Sequence, residues 1–144
     1  VSSVSNRLSL IAAIVPAHVV TTHTLLCLRT TLPLVRQHFL CALFNSFVLH
    51  AVVRMLMGGH VTTRLVENLP VPVWTGDIQQ RRIAVFAHRL ARRPNAGTLY
   101  AEVQAAVARL YALDSQTFHA VLETCPLVAR QERDRVVHAF ERMS

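Results

Sequence analysis

The sequence predicts an α+β fold, with a small N-terminal β portion packed on a long buried helix and a four-helix C-terminal tail after it. Three observations predict it. β-branched residues crowd two runs near the start, apolar residues recur at three and four between positions 33 and 57, and helix-start residues alternate with helical periodicity from Asp77 onward. At 144 residues, 52% of them hydrophobic, the chain is the size of one domain and can bury a sizeable core.

The β portion rests on LSLIAAIV (Leu8 to Val15) and VVTTHTLLCL (Val19 to Leu28), separated by Pro16-Ala17-His18. That composition, broken by a proline, suggests two adjacent strands. In the second run Thr22 and Thr24 share a face with Leu26, and Thr21 and His23 share the other with Leu25, so polarity gathers at one end.

Pro33 opens the long helix, 33–57, with Leu34, Val35, Phe39, Leu43, Phe47, Val48, Val52 and Met55 along it. It is apolar nearly all round, which asks for neighbours on several sides. Gly58-Gly59 stops it. His60 to Val66 then reads as a strand or extended arm, and Leu69-Pro70-Val71-Pro72 as an edge or connector anchored by Trp74, the only tryptophan.

From 77 to 144 four helices are expected. The first, Asp77 to Arg93, buries Ile83, Phe86, Ala87 and Leu90; the second follows Pro94-Asn95 and packs through Leu99, Val103, Ala106 and Leu110. Asp114 caps the third, which presents Phe118, Val121 and Leu122 and ends at Cys125-Pro126. The last carries Val136, Phe140 and Met143. The boundary between the β-rich portion, 1–76, and the tail, 77–144, is one of composition; both belong to one unit.

Charge narrows the function. The formal net charge is +7, and all fifteen basic residues are arginine, which favours a polyanionic partner; a lysine-free set also arises from GC-rich coding. Arg81, Arg82, Arg89, Arg92 and Arg93 form the densest group. The bland account of such a run is a solvated helix face. Three scattered cysteines, Cys27, Cys41 and Cys125, indicate neither a disulfide framework nor a zinc ribbon and fit a reducing cytoplasm. The start at Val1 lacks a signal-peptide pattern and suggests the C-terminal piece of a longer protein. The longest mainly apolar stretch, Phe39 to Val53, is short of the ~20 residues a bilayer requires, so no membrane partner is expected.

Several catalytic patterns are missing. Gly58-Gly59 is followed by His-Val-Thr-Thr where a phosphate loop needs its lysine, and GxSxG, HExxH and GxGxxG do not occur. No two of the eight histidines stand four apart; His119 with Glu123, and Asp134 with His138, each offer two ligands where zinc wants three or four. Glu132 and Asp134 are interleaved with arginines, which suits a face of ion pairs better than carboxylate catalysis.

NRLSLIAAIVP (Asn6 to Pro16) followed by THTLLCLR (Thr22 to Arg29), LCALFNSFVLHAVVR (Leu40 to Arg54) with its Phe44-Asn45-Ser46, the Leu-Pro-x-Pro at 69–72, ARLYALD (Ala108 to Asp114) and Thr124 to Val128 resemble, in that order, one family. It is the C-terminal target-recognition (specificity) region of bacterial N6-adenine DNA methyltransferases and fused restriction-modification enzymes. The resemblance covers nearly the whole chain. It implies DNA target recognition by a part that is non-catalytic in isolation, bound to double-stranded DNA and joined to an N-terminal methyltransferase domain. S-adenosylmethionine would serve that parent; no cofactor is expected on this chain, which lacks the Pro-Pro-aromatic tetrapeptide and any glycine-rich cofactor loop. The common endonuclease type needs a lysine that is absent here.

Under that resemblance the candidates for base readout are Arg64, His60, Thr62, Thr63, His23 and Thr22, with Thr21 beside them, since arginine can take guanine bidentately and threonine can meet a thymine methyl. Candidates for phosphate contact are Arg81, Arg82, Arg89, Arg92, Arg93 and Arg29. Two other readings stay open. One is a protein-interaction module docking a catalytic domain, and the other a membrane-associated helical protein built on 33–57.

Overall fold

A computed structural model describes residues 7–21, 25–58 and 60–143. Among them there are seven helices and no strand: α1 (Leu34–Phe44), α2 (Phe47–Leu56), α3 (Thr63–Glu67), α4 (Ile78–Arg92), α5 (Gly97–Leu110), α6 (Ser115–Glu123) and α7 (Arg130–Arg142). The expected α+β class is therefore wrong. Leu8 to Val15 and the described part of Val19 to Leu28 are irregular chain, and no backbone–backbone hydrogen bond joins them among the described residues.

The first of these runs is held by side chains where a strand would be held by backbone. Asn45 mimics a β bridge to Ala12: its Oδ1 accepts the Ala12 N–H at 3.0 Å and its Nδ2 donates to the Ala12 carbonyl at 2.7 Å. His50, fully buried, accepts the Ser9 N–H on Nδ1 at 2.8 Å. β-branched residues favour an extended backbone, but a strand exists only against a partner edge. Pro16 and the left-handed His18 (φ 67°) turn the chain before such a partner can form.

The helix expected over 33–57 is two helices, bent by 60° at Asn45-Ser46. Ser46 caps α2 by accepting the Leu49 N–H at 3.1 Å, and it donates to the Leu43 carbonyl at 2.6 Å. Breaking a buried helix also frees backbone groups that need partners. Gln104 of α5 supplies them, accepting the Phe47 N–H at 2.8 Å on Oε1 and donating from Nε2 to the Asn45 carbonyl at 3.0 Å. Apolar periodicity runs straight through the break, so it gives no sign of it.

His60 to Val66 is likewise no strand. Thr62 accepts the Leu65 N–H at 3.2 Å and nucleates the single turn of α3, a local bond that outweighs threonine's β preference. The connector at 70–76 is extended, and Trp74 meets Phe39 edge-on with ring centroids 5.1 Å apart. Tyr111 donates to the Pro70 carbonyl at 2.8 Å, and burial pushes its hydroxyl up to about 12, so it stays a donor. Gln80 gathers the end of the connector: its amide accepts the Thr75 and Gly76 N–H groups and donates to the Val73 carbonyl. Gly76 sits at φ 73°, beside Trp74 and Arg81, where another residue would be strained.

Asp77 caps α4 and Asp114 caps α6, each accepting a backbone N–H three residues on. α4 lays Ile83, Ala84 and Ala87 against α1 and α5, and α5 is lined with small residues that let α7 close on it. Phe118 and Phe140 stack at 4.6 Å between α6 and α7. α5 ends with Leu113 N–H bonded to Ala108 and Ala112 N–H to Arg109, a Schellman pattern whose left-handed residue, Ala112 (φ 53°), is an alanine where glycine is usual.

Three outcomes are expected. Gln104→Leu leaves the buried Phe47 N–H and the part-buried Asn45 carbonyl unpartnered and should cost about 2–4 kcal/mol in urea unfolding; a loss under ~1 kcal/mol would remove the bridge from its central place. Ala112→Gly relieves the left-handed strain and should raise stability by about 0.5–1 kcal/mol after glycine's entropy is deducted, and unchanged thermal unfolding would count against the strain. His50 is held below its ordinary value, first by burial and then by Arg54, although the Thr124 backbone opposes them. Its contribution is present above the unfolded-state pKa of about 6.5 and lost as pH falls below it. Stability should drop through that window, with a shallower drop in His50→Asn, and equal slopes in the two proteins would contradict this.

Candidate nucleic-acid interface

α4 contains four of the five clustered arginines, with Arg93 as its C-terminal cap residue, and all five are exposed. The helical repeat sorts them into two adjacent stripes. Arg81 and Arg92 lie on one with Val85 and His88 between them; Arg82, Arg89 and Arg93 lie on the other. None of the five joins an ion pair among the described residues, where the two pairs are Arg7–Glu132 and Arg130–Asp134. Arg81 donates from Nε to the Gly76 carbonyl, and Arg82 lies over the Phe86 ring at 5.2 Å. These contacts orient two guanidiniums without neutralising them.

α1 packs along α4 and extends the basic surface. Arg36 reaches over the Trp74 ring at 6.0 Å, and His38 meets His88 with Nε2 to Nδ1 at 2.9 Å, their rings edge to face. Burial first, then His88, holds His38 below its ordinary value. Neither α1 nor α4 contains a carboxylate, so nothing acidic on these two helices offsets the charge. Sequence reasoning missed Arg36, His38 and His88, because the two histidines stand 50 residues apart and only packing brings them together.

The expected readout set is not gathered in the same way. His60, Thr63 and Arg64 are exposed around α3, but Thr62 spends its hydroxyl acceptor on the cap. α3 makes no extensive contact with another helix among the described residues, so packing does not draw it onto the α4 face. Arg29 is exposed on the irregular chain before α1, and Thr21 pairs with Cys27 at 2.9 Å. Thr22 and His23 lie outside the described residues.

The two carboxylate–histidine spacings, His119 with Glu123 and Asp134 with His138, line one shallow groove between α6 and α7. They do not converge: among the described residues no group of three or more His, Cys, Asp or Glu side chains is placed to hold a metal ion. His119 instead bonds the Ser115 carbonyl within its own helix at 2.7 Å. No single helix of the described residues is long and apolar enough to cross a membrane; α1 and α2 pass only as a bent pair, and most of α2 is buried. Comparisons with family models, curated proteins and solved structures find no match.

Proposed function

We propose that the chain is a non-catalytic DNA-binding module that presents the α4 arginine face to the phosphates of double-stranded DNA. The observation that carries it is the pairing of five exposed arginines, none in an ion pair among the described residues, with two packed helices free of carboxylates. Arginine suits this work because its guanidinium stays charged and binds phosphate in a fork. Arg82 and Arg89 are seven residues apart, roughly 10 Å along the helix axis. That spacing is close to the ~12 Å width of the B-DNA major groove, so one helix face can reach phosphates on both walls.

The finer reading is target recognition for an N6-adenine DNA methyltransferase or restriction-modification enzyme. It rests on the ordered resemblance of the motifs, and the pair of β segments within that resemblance has no counterpart among the described residues. In this reading Arg64 and His60, exposed at α3, contact base edges while α4 fixes the register. The methylating domain, with its S-adenosylmethionine, belongs to the parent polypeptide. The apolar, solvent-facing Leu25, Leu26, Leu28 and Leu34 favour a docking role toward that domain alongside DNA binding.

Fluorescence titrations on cognate-candidate and scrambled duplexes over a range of salt test this. Arg89→Ala should weaken binding to every duplex and lower the salt slope by about 0.9 for each phosphate it no longer neutralises. Arg64→Ala should cost about 1–3 kcal/mol on the preferred duplex and little on the scrambled one. Equal losses on both duplexes would remove Arg64 from base readout, and an unchanged salt slope in Arg89→Ala would remove α4 from the phosphates.

A further inference from the structure

Because the hydrogen-bonded His38–His88 pair lies within the arginine stripe of α4, we infer that it makes duplex binding there proton-linked, strengthening it as pH falls. The inference rests on the reading of α4 as the phosphate-facing helix. His88 stands between Arg81 and Arg92, four residues before the latter, and His38 reaches it from α1 at 2.9 Å. In the neutral pair one ring donates its N–H and the other accepts, so the stripe carries arginine charge alone. A first proton can be added while the N–H···N bond is kept, and it places one more positive charge among the guanidiniums. A second has no acceptor across the gap and requires the rings to part.

The charged groups that share α1 and α4 with the pair are all basic. On α4 the neighbouring charges are Arg89 and Arg92; on α1 they are Arg36 and, one turn from His38, the Cys41 thiol, which burial pushes up and leaves neutral. The connector contributes Asp77, whose carboxylate is engaged in capping α4 and in bonding Thr75. α5, packed against both helices, carries Glu102 and Arg109, the latter turned onto Phe140 at 3.7 Å. α2, also packed on α1, carries Arg54 and His50, whose ring is committed to Ser9. With arginines on both sides the free protein resists the first proton, and burial already holds His38 low. A phosphate lying on the stripe cancels that repulsion, so the complex holds the proton more tightly than the free chain does. By reciprocity the proton strengthens the complex.

The test is duplex binding by fluorescence anisotropy between pH 8 and 5.5 at fixed ionic strength, using the full chain and the double variant His38→Gln/His88→Gln. Affinity of the unmodified chain should rise as pH drops below about 6.5, by up to tenfold per pH unit for one linked proton. The double variant should lose most of that slope, while Arg89→Ala should weaken binding at every pH and keep it. Ring-nitrogen NMR on the unmodified chain removes dependence on the variant's folding: the titration midpoint of His38 should move up when duplex is added. Identical pH slopes in the two proteins, or a His38 midpoint that does not move, overturn the linkage and leave α4 as a DNA face. No binding at any pH overturns that face and the linkage together.

Discussion

The amide of Gln104 bridges a broken helix, and the rest of the architecture follows from that bridge. Its Oε1 accepts the Phe47 N–H on one side of the break and its Nε2 donates a hydrogen bond to the Asn45 carbonyl on the other. The buried Phe47 N–H left open would cost about 1–3 kcal/mol, and the part-buried Asn45 carbonyl adds to it, so the bend is tolerable only because α5 meets it. The bend in turn sends α1 along α4 and lets α2 reach α6, with α5 touching α1, α2, α4 and α7. Asn45 then does a second task, since its side chain holds Ala12 in place of a neighbouring strand.

The same packing arranges the charge. The first acidic residue of the chain is Glu67, so everything packed from α1 and α2 arrives without a carboxylate of its own. α1 is laid against α4, which has none either, and the acids after Glu67 gather at caps and on α5 to α7. Asp77 and Asp114 are consumed as caps, and accepting backbone N–H bonds is what holds both carboxyls below their usual range. The outcome is a basic face whose guanidiniums are steered by Trp74 and Phe86, rings that orient a cation and leave its charge in place.

The parts of this fold that are legible in the sequence are those decided within a turn or two. Asp77 and Asp114 announce helix starts because a carboxylate three residues ahead of an amide is a local bond, and Cys125-Pro126 announces a stop because proline restricts its predecessor. The runs at 8–15 and 19–28 mislead for the opposite reason, since β propensity describes fit to a partner surface that a single stretch cannot supply. In the candidate site, the five arginines at α4 can be seen as a strip from their spacing alone. His38 and His88 cannot, and the choice of α3 over a strand turns on one hydroxyl, that of Thr62.

By itself, then, the sequence determined the helical tail, the arginine strip and the proline-stiffened connector, because periodicity, capping and proline's restrictions all draw on nearby residues. Only the tertiary structure decided that the apolar helix is two helices, that the first apolar run is strapped down by Asn45 and His50, and that two distant histidines meet on the basic face. The physical reason is common to the first two, and the histidine pair shares their distance in sequence. A buried polar group must find a partner somewhere in the folded chain, and where that partner is 33 to 59 residues away no local pattern records it.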